Sequence, residues 1–579
     1  MTIFIKDLSF KYKDAEHFAL KDINLDIAPG DFLGIIGPSG AGKTSLASSL
    51  SGAIPHHFRG EYRGQAQIGE LDTYEASLTD ISKVLGSVLQ NIDAQIVAAN
   101  VYDEMLYGLE NFGVNHADIP RIIDETLSRV GILELKDREI MTLSGGQKQK
   151  VAIAAILALN PQVMVLDEPT AALDPASTEN VYEILKTLNQ DHNMTIVVIE
   201  QKVAHLAEFC KHIAVMSKGE LAFYGSPKEV FSHSEELRAI GVDTPRVTRI
   251  SNSLYEARLS EKNAVALTVS ESLTEIDSLL KGASKDSKLS LGDEDLSSPH
   301  AHTPKPEEQV LNFEHVDYIY PTGLKALSDV SFDLYAGELL AIVGQNGAGK
   351  TTITKLTNGL IKPSAGSVSI CGNNTQDART SQIAQFVSTL FQNPDYQISK
   401  NTVLEEVAFS LELLGKSTEE AQSKAIEMIN NFGLDKDAAP FTLSRGQRQL
   451  VALASTLVTE PRVLILDEPT NGLDYQECMR VMQIVKDAQE QGCAVLMVCH
   501  DMEVVSDFAS RVIVMANGKM LANGSSEDIF MRDEVLDESY LKAPQVMQVS
   551  KALTHKGYKA YHGVSEVSDI VEITRQAVM

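Results

Sequence analysis

Gly37-Pro38-Ser39-Gly40-Ala41-Gly42-Lys43-Thr44 decides the fold, and the chain carries the pattern again as Gly344-Gln345-Asn346-Gly347-Ala348-Gly349-Lys350-Thr351. Both fit G-x-x-x-x-G-K-[ST], the glycine-rich loop that cradles phosphate. An apolar run precedes each copy, Phe32 to Ile36 and Leu339 to Val343, and reads as a buried strand. A predicted helix follows each, Ser45 to Leu50 and Thr352 to Leu360. Strand, loop, helix is the setting the motif requires. The glycines let backbone N–H groups approach phosphate oxygens, and the helix N-terminus favours an anion. Expected phosphate contact runs from Gly37 to Ser45 and from Gly344 to Thr352. Lys43 and Lys350 are expected to reach the β/γ-phosphates, and the Thr44 and Thr351 hydroxyls to ligate Mg²⁺.

Outward from these loops, the halves repeat. Gln90 and Gln392 sit in V-L-Q-N and L-F-Q-N. Leu143-Ser144-Gly145-Gly146-Gln147 matches Leu443-Ser444-Arg445-Gly446-Gln447, and Asp167-Glu168-Pro169-Thr170 matches Asp467-Glu468-Pro469-Thr470. The offset narrows only from 307 residues (37 to 344) to 300 (144 to 444), so few insertions separate two copies of one fold. In each half strand-like runs alternate with helical ones: Ile3 to Phe10 and Val310 to Tyr318 open, helices are expected at Val101 to Phe112 and Val403 to Leu414, and at Gln149 to Leu159 and Gln449 to Val458. Strands follow at Val163 to Leu166 and Val463 to Leu466, then Thr195 to Ile199 and Ala494 to Val498. That alternation predicts an α/β fold with a mainly parallel sheet in each half.

Two domains follow, 1–282 and 309–579, joined by a linker at 283–308. The linker is rich in Ser, Pro, Asp and Glu, and reads as disordered and acidic. Its His300 and His302, like His56 and His57, read as solvated loop histidines. The 579-residue chain has a net charge of −29, which argues against a broad basic face for nucleic acid or anionic lipid. No apolar run approaches the ~18 residues of a membrane span, and the N-terminus has no signal-peptide pattern. The five cysteines lack C-x-x-C spacing and read as buried thiols of a reducing cytoplasm.

The chemistry gathers at strand ends. Asp167 and Asp467 are expected to hold Mg²⁺. Glu168 and Glu468 follow at once, where a carboxylate can orient or deprotonate an attacking water. Gln90 and Gln392, repeated in Q-N-x-D-x-Q, are expected to reach the metal or the water from a loop that can move.

L-S-G-G-Q between a P-loop and an L-D-E-P-T strand resembles the ATP-binding cassette (ABC) ATPases, over essentially the whole chain outside the linker. The resemblance implies tandem P-loop NTPase domains, each with an antiparallel β subdomain and a helical signature subdomain, and Mg²⁺-dependent hydrolysis of ATP. It implies that two cassettes pair head to tail within the chain, each ATP lying between one P-loop and the other signature. One site would join Lys43, Gln90, Asp167, Glu168 and Gln201 to Ser444, Arg445, Gly446 and Gln447. The other would join Lys350, Gln392, Asp467, Glu468 and His500 to Ser144, Gly145, Gly146 and Gln147. Tyr12 and Tyr320 are implied to stack on adenine, Asp174 and Asp474 to couple the sites, and His500 to contact the γ-phosphate. Gln201 stands where that histidine belongs, and Arg445 where glycine is usual; both departures fall in the first site, which predicts unequal sites.

Gln90-Asn-Ile-Asp-Ala-Gln95 followed by Val101 to Asn111, and Gln392 to Gln397 followed by Leu404 to Phe409, resemble more narrowly the ATPases of energy-coupling-factor (ECF) importers for vitamins and metals. The tails from Pro245 and Pro544 add to this. The narrower resemblance implies a transmembrane scaffold subunit, contacted through 101–113 and 403–415, a separate substrate-binding membrane subunit, and a peripheral place on the cytoplasmic face without lipid insertion. The rival class is a soluble tandem ABC ATPase of translation-factor or DNA-repair type. Against it stand the short acidic linker and the lack of a coiled-coil or zinc insertion.

Overall fold

The computed structural model describes residues 1–13, 15–171, 173–260, 265–282 and 308–579. Two compact units hold Met1–Asn252 and Val269–Met579. The expected linker lies outside the described residues except for Glu308. That residue belongs to the second unit: its carbonyl accepts from Ala336 N at 2.8 Å, and its carboxylate pairs with Arg462.

The first unit has ten strands: β1 (Ile3–Tyr12), β2 (Leu20–Ile27), β3 (Phe32–Ile36), β4 (Gly60–Ile68), β5 (Leu71–Asp72), β6 (Leu85–Val88), β7 (Val163–Asp167), β8 (Thr195–Ile199), β9 (His212–Ser217) and β10 (Glu220–Gly225). They form an antiparallel sheet of order β2-β1-β4-β5 and a six-stranded sheet of order β10-β9-β3-β8-β7-β6. In the larger sheet only β10 runs antiparallel to its neighbour. β3, β7 and β8 are buried at every residue, as expected of parallel strands covered on both faces. β1 alternates instead, with Ile3, Ile5, Leu8 and Phe10 inward, because one face of the smaller sheet is open.

The second unit repeats this plan with β11 (Gln309–Ile319), β12 (Lys325–Tyr335), β13 (Leu339–Gly344), β14 (Ala365–Ile370), β15 (Asn373–Asn374), β16 (Val387–Leu390), β17 (Val463–Asp467), β18 (Ala494–Val498), β19 (Arg511–Ala516) and β20 (Lys519–Ser525). The orders are β12-β11-β14-β15 and β16-β17-β18-β13-β19-β20. Each P-loop leaves the end of a central strand, β3 or β13, beside the ends of β8 or β18 and of β9 or β19.

Helix limits follow local caps. The signature helices span Gly145–Leu157 and Arg445–Leu457, starting four residues before the apolar pattern does. Ser144 and Ser444 each accept from the amide of Gln147 or Gln447, and each glutamine side chain accepts from the serine amide, closing a capping box. The P-loop helices are Lys43–Leu50 and Lys350–Thr357; the second stops three residues short of the expected Leu360. Asn100 and Thr402 cap the helices Val101–Asn111 and Val403–Leu413.

Helix Val269–Gly282, which the sequence reading placed with the first half, packs in the second unit against Gln545–His555 and Val567–Val578. There Asp277 accepts from Lys281 Nζ at 2.7 Å, Lys556 Nζ at 3.1 Å and Tyr558 Oη at 3.1 Å. None of the five cysteines is in a disulfide, and only Cys210 and Cys499 are buried; Cys371, Cys478 and Cys493 are half-exposed, so burial does not account for all five.

Candidate functional site

In each P-loop the residue before the lysine has a left-handed backbone, Gly42 at φ +98° and Gly349 at +104°. A Cβ on Gly42 would lie 2.3 Å from the Ala19 carbonyl oxygen, and one on Gly349 would lie 2.8 Å from that of Ala326. Only glycine satisfies both constraints. The lysines are buried and curl back over the loop: Lys43 Nζ donates to the Gly37 and Pro38 carbonyls at 2.7 and 2.9 Å, and Lys350 Nζ to those of Gly344 and Gln345 at 2.7 and 2.8 Å. Tyr12 and Tyr320 are tied to the P-loop helices through Ser45 Oγ at 3.0 Å and Thr352 Oγ1 at 3.1 Å. Phe10 and Phe58 pack edge-on to Tyr12.

The acidic pairs close β7 and β17. Burial raises the affinity of the Asp167 and Asp467 carboxyls for protons. The Thr44 hydroxyl and then the Lys43 ammonium oppose this at Asp167, as Lys350 and Lys355 do at Asp467. Among the described residues no group of three or more His, Cys, Asp or Glu could cage a metal. In the first unit the Thr44 hydroxyl beside the buried Asp167 carboxylate fits Mg²⁺, which keeps water and phosphate oxygens among its ligands.

Glu168 and Glu468 have left-handed backbones, φ +47° and +51°. Such strain in a non-glycine residue persists only where neighbours hold it. Glu168 N donates to the Ile199 carbonyl and Glu468 N to that of Val498, each at 2.9 Å. Around the Glu168 carboxylate, Gln90 Nε2 donates to Oε2 at 2.6 Å and Gln201 Nε2 to Oε1 at 2.7 Å. Burial is the largest influence and pushes the Glu168 carboxyl upward in pKa; the charge of Asp167 adds to it, and Lys43 and the two amides oppose it. In the second unit His500 Nε2 lies 3.1 Å from Glu468 Oε1, and His500 N donates to Oε2 at 3.2 Å. Gln392, expected beside Glu468, is exposed and makes no side-chain hydrogen bond among the described residues.

Each signature stands at a capped helix start, on a different element from its own unit's P-loop. Arg445 does not extend away from its unit. Its guanidinium lies over Gly472, where a Cβ would meet Cζ at 2.7 Å. Asp174 and Asp474 use their carboxylates to cap the helices Pro175–His192 and Tyr475–Glu490.

Two features escaped the sequence reading. Glu104 and Glu406 are buried, and each braces the loop that follows Gln90 or Gln392: Glu104 Oε2 accepts from Val97 N and Ala98 N at 2.9 and 2.8 Å, and Glu406 Oε2 from Ser399 N and Lys400 N, both at 2.8 Å. Their signal was available, since both occupy the fourth position of the repeated helices. The other is Glu200, whose carboxylate holds Thr170. No motif marks it, and Cys499 is its counterpart.

A family model described as ABC transporter matches residues 20–171 and 327–471. A relative from Caldanaerobacter subterraneus subsp. tengcongensis, provisionally named an ABC transporter ATP-binding protein, is 36% identical over 95% of this chain and 96% of its own. One from Methanosarcina acetivorans with the same provisional description is 34% identical over 93% of this chain and 88% of its own. YkoD of Bacillus subtilis, provisionally an HMP/thiamine import ATP-binding protein, is 32% identical over 91% of this chain and 92% of its own.

Proposed function

The chain belongs to the ABC transporter family of ATPases, and we propose that it is the energy-coupling subunit of an ECF-type importer for a vitamin or similar micronutrient. It binds ATP with Mg²⁺ and hydrolyses it; that much its family carries. In the proposed division of labour, the P-loops from Gly37 and from Gly344 hold the phosphates. Thr44 with Asp167, and Thr351 with Asp467, would hold Mg²⁺, which supplies charge neutralisation when bound. Glu168 and Glu468 orient the attacking water, Gln201 and His500 stand beside them, and Gln90 and Gln392 report occupancy to the loops that follow.

The observation that carries the importer reading is the braced loop and helix after each of these glutamines. They present exposed apolar side chains in both units: Val97 and Tyr107 in the first, Tyr396 and Leu413 in the second. Phe409, a contact expected from sequence, is half-buried, with the Lys400 ammonium 3.6 Å from its ring centre, so Leu413 at 70% exposure replaces it as the outward residue. The import activity in the name of YkoD supports the same direction. The proposed partners are a transmembrane scaffold, docked on these faces, and a substrate-binding membrane subunit carried by it. The chain would then sit at the cytoplasmic face through protein contacts.

The test is purification of the full chain from detergent-solubilised native membranes. Two membrane proteins should co-purify, and Tyr107→Asp with Leu413→Asp should release the chain while ATP binding persists. Recovery without membrane proteins, or equal pelleting with protein-free liposomes, would overturn the reading.

A further inference from the structure

Glu200 lies one residue beyond β8, beneath the turn that carries Glu168. It is 3% exposed. Its Oε1 accepts from Thr170 Oγ1 at 2.6 Å and from Thr170 N at 3.1 Å, and its own amide donates to the Ile35 carbonyl at 3.2 Å. One carboxylate oxygen therefore holds a side chain and a backbone group of the residue two places after Glu168. The turn it holds begins with the left-handed backbone of Glu168. In the second unit Cys499 takes this place. Its Sγ accepts from Asp501 N at 3.4 Å, and Thr470 makes no side-chain hydrogen bond among the described residues.

We propose that Glu200 is a positioning residue for ATP hydrolysis in the first unit: it pins Thr170 and thereby keeps the Glu168 carboxylate aimed at the attacking water. The proposal rests on the reading of Glu168 as the group that orients that water. A strained turn needs outside support to keep its geometry, and a hydrogen bond to an anion is about twice as strong as a neutral one. The charged and titratable groups around Glu200 are Glu168 on the turn itself, Lys202 on the segment after β8, Tyr182 from Pro175–His192, and Cys210 after Val203–Phe209. His205 stacks on Tyr182, and Glu179 lies 3.7 Å from His205. Burial first, opposed by the Thr170 hydroxyl and aided by the charge of Glu168, pushes the Glu200 carboxyl up to about 7. Above that pH the carboxylate grips both Thr170 donors; below it the neutral acid grips them less.

The experiment uses the full chain carrying Glu468→Gln, in single-turnover ATP hydrolysis across neutral pH, so that the slow residual turnover left to the first unit is read alone. With Glu200 intact the rate should fall as pH drops through about 7. Glu200→Gln keeps an oxygen acceptor for both donors but cannot ionise, so it should retain most of the rate at neutral pH and lose that inflection. Glu200→Ala should lower the rate by ~10–100-fold, the scale of a small misplacement of a reacting group, with little change in the ATP concentration giving half-maximal rate. Should the alanine variant fail to fold, Thr170→Val, which deletes only the hydroxyl donor, should lower the rate in the same direction. Variants with the parental rate and parental pH profile would overturn the proposal, as would an effect on ATP affinity alone. Adding Glu168→Gln to the same background separates the two readings: an unchanged rate would remove the assignment of Glu168 and the proposal with it. An extinguished rate alongside silent Glu200 variants would remove the positioning role only.

Discussion

Glu168 and Glu468 share a strained backbone and differ in the company each carboxylate keeps. Two neutral amides bond Glu168, whereas an imidazole faces Glu468. A glutamine accepts or donates a hydrogen bond but cannot carry the imidazolium charge. The second unit therefore has the better-equipped carboxylate. Losing a transition-state contact costs ~10²–10³ in rate, so Glu468→Gln should nearly abolish steady-state ATPase of the assembled transporter, while Glu168→Gln should leave a substantial fraction. Equal losses would refute unequal sites. Arg445 offers a second check at this scale. Because its guanidinium occupies the space over Gly472, which has φ +71°, Gly472→Ala should destabilise the second unit by ~1–2 kcal/mol from the backbone alone. Arg445→Gly in the same chain should recover whatever the side-chain collision adds, as read by urea unfolding. The places of Lys43 at a P-loop, Glu168 after a strand end and Ser144 at a helix start were legible because motif spacing encodes them. Glu200 was not, because a glutamate after an apolar strand has no signature until the fold sets Thr170 above it.

Paired elements were legible where a short apolar run ends in an acidic turn, as in β7 and β17, and less so where a helix cap overrides the apolar pattern. The signature helices begin at Gly145 and Arg445 because Ser-x-x-Gln closes a box there, although the apolar run starts later. Tertiary partnership was illegible for Val269–Gly282, whose partners lie far along the chain. That helix carries its own pH response. Lys281 first, then Lys556 and Tyr558, hold the Asp277 carboxyl down at about 2. A depressed carboxyl stabilises above its unfolded pKa, and that stability is lost as pH falls through the folded value. The second unit should thus lose ~1–2 kcal/mol between about pH 4 and pH 2 through this group. Asp277→Asn should remove that step from acid unfolding and lower stability at neutral pH by a similar amount. A second element-scale prediction concerns the braces. Glu406→Ala strips the acceptor from Ser399 N and Lys400 N. Hydrogen exchange of those two amides should accelerate, with membrane association weakened and ATP binding retained.

For the molecule as a whole, 579 residues with a net charge of −29 carry one fold and one motif set twice. No described helix is long and apolar enough to cross a membrane. Under the proposed docking by protein contact, association with native membranes should be saturable and association with bare anionic liposomes negligible. Since both cassettes are supplied by one polypeptide, ATP turnover per chain should stay constant on dilution; a rate that rises with the square of concentration would show that two chains are needed. The duplication itself was plain from the recurrence of Lys43 and Lys350, Ser144 and Ser444, Glu168 and Glu468. Its divergence was only partly plain, since Gln392 keeps the identity of Gln90 but not its bond. Val269–Gly282 is seated against Gln545–His555 and Val567–Val578. A protease cutting between 283 and 307 would sever the backbone without freeing either fragment, because the N-terminal piece would retain its grip through Asp277 on Lys556 and Tyr558. Coexpressed chains 1–282 and 308–579 should therefore co-elute as a reconstituted pair, and shortening the first to 1–268 should weaken that association.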